Sequence, residues 1–446
     1  MIKRFIDKLF GKTPPVPLGK RVEITAAEHG IDPALLDERA VKVVQTLQDA
    51  GYEAYVVGGA VRDLLVGLRP KDFDVATNAT PEQVKALFRR AFIIGRRFRL
   101  VHVIFGRGRE HEVIEVSTFR AHLDASEATT VGGNEKTSKA ELVGQAHAVD
   151  ASGRVLRDNV WGPQVEDAAR RDFTVNAMYY EPRGALVVDY HGGFKDVRAK
   201  VLRLIGDPAT RYREDPVRAI RAVRFAAKLG FSLEKKTAAP MAEAKAALAA
   251  VPISRLFDEM IKLMQTGHAM ASLEALRRYG LDRGVFPVLD AASSAGEREQ
   301  AFIRAALADT DRRVAESRAV APSFLLACLL WHEVLGRWTA ARAAGEPAVP
   351  ALQQAIDAVF DARIGDVSGR GKLAADMREV WMMQPRFERR TAATAQSLVE
   401  QPRWRAGYDF LRLRADAGEV PSELAEWWED YSLGSHDDRE ALLQAA

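Results

Sequence analysis

The chain has 446 residues, of which 47% are hydrophobic and 28% charged, and its formal net charge is +3. This length accommodates two or more domains with cores of their own. No stretch approaches the ~20 consecutive apolar residues of a membrane span, and the single cysteine, Cys328, excludes a disulfide framework. We therefore expect a protein of the reducing cytoplasm. Its near-neutral charge does not by itself indicate nucleic-acid binding, although Arg and Lys are concentrated in residues 89–109 and 198–236.

The chain begins with an amphipathic segment. Residues 1–12 carry apolar side chains at helical spacing, with Lys3, Arg4 and Lys8 between them. Two interpretations are open: a frayed terminus, which we favour because chain ends are often poorly ordered, and contact with a membrane surface. Residues 34–50 then predict a helix that leads into the first strand.

A glycine turn follows that strand. Tyr55–Val57 is short, apolar and β-branched, which predicts a buried strand, and residues 60–65 predict the start of a helix. Gly58 and Gly59 between them permit positive φ and a close approach of the backbone to a ligand. A phosphate can bind the N–H groups at such a helix start, and Arg62 adds further donors. Taken alone, the pattern is more typical of a plain strand–turn–helix connection.

Two carboxylates in an extended run favour a ligand-binding turn over a plain connection. Asp72 and Asp74 flank Phe73, so on a strand both acids project from one face while Phe73 enters the core. Mg²⁺ prefers such oxygen ligands and completes its shell with water and substrate phosphates. The alternative is a solvated acidic turn, which does not account for the phenylalanine or the nearby glycines. The two motifs together predict a site for a nucleoside triphosphate and Mg²⁺.

A third acid follows on an alternating strand pattern. Glu115 lies in the sequence EVIEVSTF and would join Asp72 and Asp74 if its strand is their neighbour. A solvated strand face explains Glu115 equally well. After this strand, residues 122–153 are rich in small and polar residues and lack apolar periodicity, which predicts a mobile insertion.

Two further segments carry charged residues at helical spacing. Arg170–Asn176 is predicted to start a helix, so Asp172 and Asn176 would share a face one turn apart. Pro216 opens a second helix, on which Arg218, Arg221 and Arg224 form a stripe. The alternatives are a capped helix for the first segment and a solvated face for the second. From there to the end the pattern is almost wholly helical.

Taken together, these segments resemble the class II nucleotidyltransferase family, which contains bacterial poly(A) polymerases and CCA-adding tRNA nucleotidyltransferases. The resemblance covers residues 50–265 in the family's order and includes VVGGAVRDLLVG, KDFDVATNATPEQV, EDAARRDFTVNAMYY and RYREDPVRAIRAVRF. Residues 93–103 resemble the segment by which the poly(A) polymerase branch differs from the CCA-adding branch, and RWRAGYDFLRLRA at 403–415 is similar to the same branch.

The resemblance implies an α+β fold, in which a small mixed-sheet nucleotidyltransferase head precedes an all-helical neck, body and C-terminal region. We expect an N-terminal extension at 1–30, the head at 31–190 with its insertion at 122–153, the neck with a base-reading helix at 191–265, and the body and RNA-binding region at 266–446.

The resemblance also implies roles for single residues. Asp72 and Asp74 are expected to hold the metal and, with Asp172, to be catalytic, although Asp172 is also a candidate for contact with the ribose. All residues expected to bind the nucleotide are Gly58, Gly59, Arg62, Arg171, Asn176, Glu214, Asp215, Arg218, Arg221 and Arg224. Among these, Asp215 and Arg218 would read the edge of the base, and Arg221 and Arg224 would extend that contact or hold the acid in place.

The implied reaction is the template-independent transfer of AMP from ATP to an RNA 3′-OH, with two Mg²⁺ ions and release of pyrophosphate. Expected partners are RNA 3′ ends and RNA-decay proteins, and a monomer is expected. Relatives often end in a basic tail that the residues up to Ala446 do not show, so we expect few phosphate contacts. Two alternatives are a CCA-adding tRNA nucleotidyltransferase, against which residues 93–103 argue, and a catalytically inactive RNA-binding protein, against which the intact Asp72 and Asp74 argue.

Overall fold

The computed structural model describes the backbone of residues 16–95, 98–107, 110–122, 129–130, 147–149, 155–364 and 371–445. The chain divides into two compact units. The first is Met1–Ala222 with Gly230–Ala244, and the second is Val223–Leu229 with Lys245–Ala446.

The first unit is built on a mixed sheet of eight strands. The described strands are β1 Val22–Ile24, β2 Ala54–Val57, β3 Asp74–Thr77, β4 Ala91–Ile94, β5 Leu100–Arg107, β6 Glu110–Thr118, β7 Thr129–Thr130, β8 His147–Val149, β9 Val155–Asp158, β10 Met178–Glu181, β11 Leu186–Asp189, β12 Val201–Leu202 and β13 Ser232–Leu233. The main sheet has the order β1-β11-β10-β2-β3-β6-β5-β4, and β7-β8-β9 and β12-β13 form two smaller sheets. Only the β3–β6 pair of the main sheet is parallel among these strands, so the prediction of a mixed sheet is confirmed.

Short helices accompany this sheet. They are α1 Ala26–His29, α2 Glu38–Asp49, α3 Gly59–Leu65, α4 Pro81–Leu87, α5 Gln164–Ala169, α6 Gly193–Ala199, α7 Pro208–Glu214, α8 Val217–Leu229, α9 Lys235–Ala238 and α10 Met241–Leu248, with 3₁₀ turns at Pro33–Leu35 and Thr174–Asn176. The last residues of α8, from Val223, and of α10, from Lys245, belong to the second unit.

Local sequence signals explain where two of these helices begin. The Asp37 carboxylate accepts from the backbone N–H of Arg39 and caps α2. Thr80 and Gln83 form a reciprocal capping box around Pro81, the first residue of α4. Both helices are therefore fixed at their N-termini by side chains that satisfy backbone donors.

The second unit is wholly helical in its described part. Its helices are α11 Ile253–Met264, α12 Ala269–Arg278, α13 Pro287–Ser294, α14 Glu297–Ala315, α15 Pro322–Ala343, α16 Ala348–Arg363, α17 Gly371–Phe387, α18 Ala392–Val399, α19 Trp404–Asp416, α20 Ser422–Leu433 and α21 His436–Ala445. The first half of α15 is buried all round, and Trp331 on this helix packs edge-on against Phe410 of α19. Cys328 is buried in the same helix, as its apolar neighbours predict. No helix of the described ranges is both long and apolar enough to cross a membrane.

Three sequence predictions need correction. The helix predicted for residues 34–50 begins at Glu38, because Pro33–Leu35 forms a separate 3₁₀ turn. The helix expected to start at Arg170 instead ends there, because Phe173 is extended and bridges to Leu204. The segment expected as an extension contributes strand β1 to the main sheet.

Two other predictions concern segments that lie wholly or mostly outside the described residues. The amphipathic residues 1–12 lie outside the described residues, as does most of the insertion predicted at 122–153. The described parts of that insertion are the strands β7 and β8, which pair with each other. Its expected mobility stays a prediction.

Candidate active site

The glycine turn lies at the end of β2. Gly58 has φ +77° and ψ −134°, a conformation that side-chain-bearing residues rarely adopt. A Cβ atom built on Gly58 would lie 3.6 Å from Nη1 of Arg171, and one on Gly59 would lie 3.3 Å from Nη2 of Arg62. The positive φ of Gly58 therefore favours glycine at this turn, and two guanidinium groups lie beside the backbone at the start of α3.

Arg62 is buried beneath this turn. Its Nη1 donates to Oδ1 of Asn176 (2.6 Å), and its Nε and Nη2 both donate to Oδ1 of Asp63 (2.9 and 2.7 Å). Only 4% of Arg62 is exposed. The structure thus brings Asn176 next to Arg62 and Gly59, although Asn176 lies 114 positions after Arg62 in the chain.

The two acids lie beside the same turn. Asp74 starts β3 and is in register with Val57, the last residue of β2. Phe73 is buried, as predicted, while Asp72 and Asp74 reach solvent. On the other side of Asp74, Glu115 of β6 is in register with it. The prediction that Asp72 shares this strand is wrong, because Asp72 lies in a bend before β3, although its charge still acts on Asp74. The contribution of Glu115 was left open by the sequence, and the register places it next to Asp74.

This acidic group has the character of a cation site. Loss of hydration raises the pKa of the Asp74 carboxyl to about 6, and the negative charges of Glu115 and Asp72 act in the same direction against the opposing charge of Arg171. The described residues contain no cluster of three or more His, Cys, Asp or Glu side chains arranged to hold an ion. The carboxylates of Asp72 and Asp74 nevertheless fit Mg²⁺, which takes its other ligands from water and phosphates.

A buried ion pair holds Arg171 in place. Arg171 donates to Oδ2 of Asp167 (3.2 Å), and the hydroxyl of Tyr179 donates to the same oxygen (2.7 Å). Burial would raise the pKa of Asp167, but Arg170 and Arg171 hold it well below its ordinary value. Asp167, at the i−4 position to Arg171, was not among the predicted site residues; its helical spacing to Arg171 was the available signal.

Asp172 is paired with the arginines of α8. Nε of Arg218 donates to Oδ1 of Asp172 (3.0 Å), and Nε of Arg221 donates to Oδ2 (2.7 Å). Burial alone would raise the pKa of Asp172, but the charges of Arg221, Arg218 and Arg211 together lower it to about 2. Both carboxylate oxygens are engaged, so in this arrangement Asp172 orients Arg218 and Arg221.

The other predicted base-reading residues lie around Arg218. Its Nη1 donates to Oε2 of Glu214 (3.0 Å), while Oδ1 of Asp215 accepts from the N–H of Val217 (3.3 Å) and caps α8. Arg224, in contrast, pairs with Glu259 (3.5 Å) inside the second unit. The structure therefore groups Glu214, Arg218 and Arg221 with Asp172 and gives Arg224 a separate partner.

Arg211 is a second residue that the sequence did not predict for the site, and it connects the segment around Arg171 with the end of α7. Arg211 is 2% exposed, donates to the carbonyls of Arg170 (3.1 Å) and Arg171 (2.8 Å), and also donates to Glu214 (3.3 Å). It thereby ties the Arg171–Asp172 segment to the end of α7. Its i,i+3 spacing to Glu214 was the only sequence signal.

The Asp172 ion pairs predict a specific pH dependence of stability. A carboxyl whose pKa falls from 3.8 to about 2 on folding contributes about 2 kcal/mol. This contribution is complete above pH 3.8 and is lost as the pH falls through about 2. We expect the difference in unfolding free energy between wild type and Asp172→Asn to shrink by about that amount on acidification. Urea unfolding between pH 2 and 5 measures it, with Asp49→Asn as an exposed control; a constant difference would contradict the ion-pair assignment.

Comparison with protein families identifies three matching regions. Residues 54–203 match the model described as "Poly A polymerase head domain", and residues 344–446 match "Polymerase A arginine-rich C-terminus". Between them, residues 230–293 match "Probable RNA and SrmB- binding site of polymerase A". The first match contains the glycine turn and all three acids, and the other two lie in the largely helical part of the chain.

Comparison with curated proteins separates two kinds of relative. The chain is 42% identical to Poly(A) polymerase I of Haemophilus influenzae over 94% of this chain and 90% of the relative. It is 35% identical to the CCA-adding enzyme of Bacillus subtilis, over only 53% of each chain. Among solved structures, the CCA-adding enzyme of Bacillus stearothermophilus in complex with CTP has a TM-score of 0.56 at 24% identity, covering 93% of this chain and 83% of that one. That structural likeness concerns the fold alone.

Proposed function

Because this chain belongs to the poly(A) polymerase family, as its match to Poly(A) polymerase I over nearly the full length of both chains shows, we propose that it transfers AMP from ATP to the 3′-OH of RNA. The transfer needs no template and releases pyrophosphate. The observation that carries the proposal is the convergence of Asp74, Glu115, Gly58 and Arg171 around the central strands β2, β3 and β6 of the head sheet.

The residues at the glycine turn would bind the triphosphate end of the nucleotide. Gly58, Gly59 and the arginines beside them, Arg62 and Arg171, provide N–H donors and positive charge for a triphosphate. Phosphoryl transfer depends mainly on positioning and electrostatics, and the hydrogen-bond partners of these arginines, Asn176 for Arg62 and Asp167 for Arg171, restrict their motion. Nucleotide binding at this turn is therefore a preorganised electrostatic interaction.

Asp72 and Asp74 would hold the divalent cations, for which we propose two Mg²⁺ ions. When bound, the metal favours ionisation of the attacking hydroxyl and neutralises charge on the leaving pyrophosphate. The carboxylates would fix where this positive charge lies. Loss of hydration, followed by the nearby charge of Glu115, raises the pKa of Asp74, and a bound cation would oppose both effects. Glu115, in register with Asp74, adds to this negative field.

The base end of the nucleotide would meet the start of α8. Arg218 has donors fixed by Asp172 and Glu214, so its orientation is set before a nucleotide binds. A planar guanidinium in a fixed orientation can distinguish the hydrogen-bonding edges of bases. In this proposal Asp172 acts on the base through Arg218, and a contact with ribose would require it to exchange partners.

RNA 3′ ends are the proposed macromolecular substrate, supported by the match of residues 230–293 to an RNA-binding model. The partners among RNA-decay proteins and the monomeric state stay proposals. A cytoplasmic location is also proposed, in keeping with the single cysteine.

An incorporation assay tests the function and separates it from both alternatives. We expect an unstructured RNA to be extended with ATP and not with CTP. A CCA-adding enzyme would instead add both nucleotides to a tRNA that lacks CCA and then stop, and an inactive RNA-binding protein would add neither. Gel analysis of labelled RNA after incubation with each nucleotide measures the outcome, and extension confined to the tRNA would reject the proposal.

A further inference from the structure

A row of registered side chains leads away from Asp74 across the sheet. Asp74 of β3 is opposite Glu115 of β6, Glu115 is opposite His102 of β5, and His102 is opposite Phe92 of the edge strand β4. Residues directly opposite each other on neighbouring strands project from the same face. With strands about 4.8 Å apart, Phe92 lies about 14 Å from Asp74 along this row.

This face of the sheet has a covered half and an open half. On one side of Asp74, Val57 and Tyr179 continue the row and are buried in a cluster with Ala168 of α5. On the other side, Phe92 is 55% exposed and His102 is about one-third exposed. The covered half carries Arg171, while the open half carries an aromatic ring and an imidazole.

The opposite face of β5 and β6 is buried beneath this row. Val101 and Val103 of β5 and Ile114 and Val116 of β6 are each at most 3% exposed. On β4, Ala91 of that face is 6% exposed, against 55% for Phe92. Apolar side chains continue that open face around the row, and Val113 of β6 is 37% exposed there.

The geometry of phosphoryl transfer indicates which ligand would bind the open half of this sheet face. The attacking and leaving oxygens stand roughly in line on opposite sides of the phosphorus. If the triphosphate lies on the side of Gly58 and Arg171, the attacking 3′-OH must come from the opposite side of Asp74. That side is formed by β6, β5 and β4, and single-stranded RNA bases commonly stack on aromatic and histidine side chains.

We propose that the open face of β4, β5 and β6 is a platform for the last nucleotides of the RNA strand, with bases stacked on His102 and Phe92. This inference rests on the proposed function, because it uses the side assigned to the triphosphate. Glu115 lies 3.5 Å from Nε2 of His102 and orients the imidazole. Phe92, on the edge strand, receives the base farther from the 3′ end.

Substitution of Phe92 tests the platform. Loss of one base–aromatic stack corresponds to about a tenfold change in affinity. We expect Phe92→Ala to raise the KM for an oligo(A) primer, and its Kd measured by fluorescence anisotropy without ATP, by about this factor, while the KM for ATP stays the same. Phe92→Trp should restore primer binding, which a merely structural role of the ring would not predict.

Primer length provides a second readout. The penalty of Phe92→Ala should be absent for the shortest primers and appear once the strand is long enough to reach β4. Because stacking depends little on salt, the ratio of variant to wild-type Kd should be the same at low and physiological salt. A matched control is Val22→Ala, since Val22 is 53% exposed on β1, the other edge strand of the same sheet.

Three results would overturn the inference. One is unchanged primer KM and Kd in Phe92→Ala, and another is an equal effect from Val22→Ala. The third is a change of oligomeric state in sedimentation with unaltered primer binding, which would make this face an interface between copies of the chain. A wild-type protein that binds oligo(A) but adds no AMP would contradict the proposed function and leave the Kd comparison intact.

Discussion

Replacing Asp74 with Ala is expected to reduce the rate of AMP transfer by at least about 10³-fold, because metal stabilisation of transition-state charge is worth several kcal/mol. Asp72→Ala should have a comparable effect, since the two carboxylates offer one metal site. The KM for the RNA strand should change far less than kcat. Initial rates at saturating ATP and Mg²⁺ measure this.

The stability of the Asp74 variants distinguishes lost chemistry from lost structure. The pKa of Asp74 is raised to about 6, so the folded protein binds this proton more tightly than the unfolded chain does. Deprotonation of Asp74 therefore lowers the stability of the folded protein, and this destabilisation reaches its full size only above pH 6. We expect Asp74→Asn to be inactive and at least as stable as wild type at pH 7. Asp49→Ala, which removes an acid paired with Arg183, should keep full activity, and near-normal activity in Asp74→Ala would exclude the metal assignment.

Replacing Arg218 with Ala should weaken the preference for ATP over CTP, GTP and UTP by about 10- to 100-fold. This is the expected loss of one or two hydrogen bonds from a charged donor. The donors of Arg218 are already oriented by Asp172 and Glu214, so the wild-type site discriminates without rearranging. Ratios of kcat/KM for the four nucleotides measure the effect.

A neighbouring arginine supplies the control. Arg213 on α7 is exposed and donates to Thr210 of its own helix, so Arg213→Ala should leave selectivity unchanged. Full selectivity in Arg218→Ala would show that α8 does not read the base. Asp172→Asn separates two roles: loss of discrimination among bases indicates that Asp172 positions Arg218, whereas loss of discrimination between ATP and dATP indicates a contact with ribose.

The glycine turn and the paired acids could be predicted from the sequence because each depends on residues that are neighbours in the chain. The glycine turn needs two consecutive residues without a Cβ, and the paired acids need only an extended run with Phe73 between them. Both were predicted from spacing, and the structure has Phe73 buried and Gly58 at positive φ. The alternation of strand and helix patterns, read together with the family resemblance, also gave the mixed-sheet head and the helical remainder.

Tertiary structure alone decided which polar and charged side chains pair across long stretches of the chain. Arg62 meets Asn176 across 114 positions, and Arg218 and Arg221 meet Asp172 across 46 and 49 positions. No local periodicity specifies such contacts, because they depend on strand order, on register and on which side chains are buried together. For the same reason the stripe of α8 was predicted as one surface, whereas Arg221 pairs with Asp172 and Arg224 pairs with Glu259. Burial makes an unpaired charge costly, so the largely buried Asp172 pairs with the two arginines that the fold brings to it.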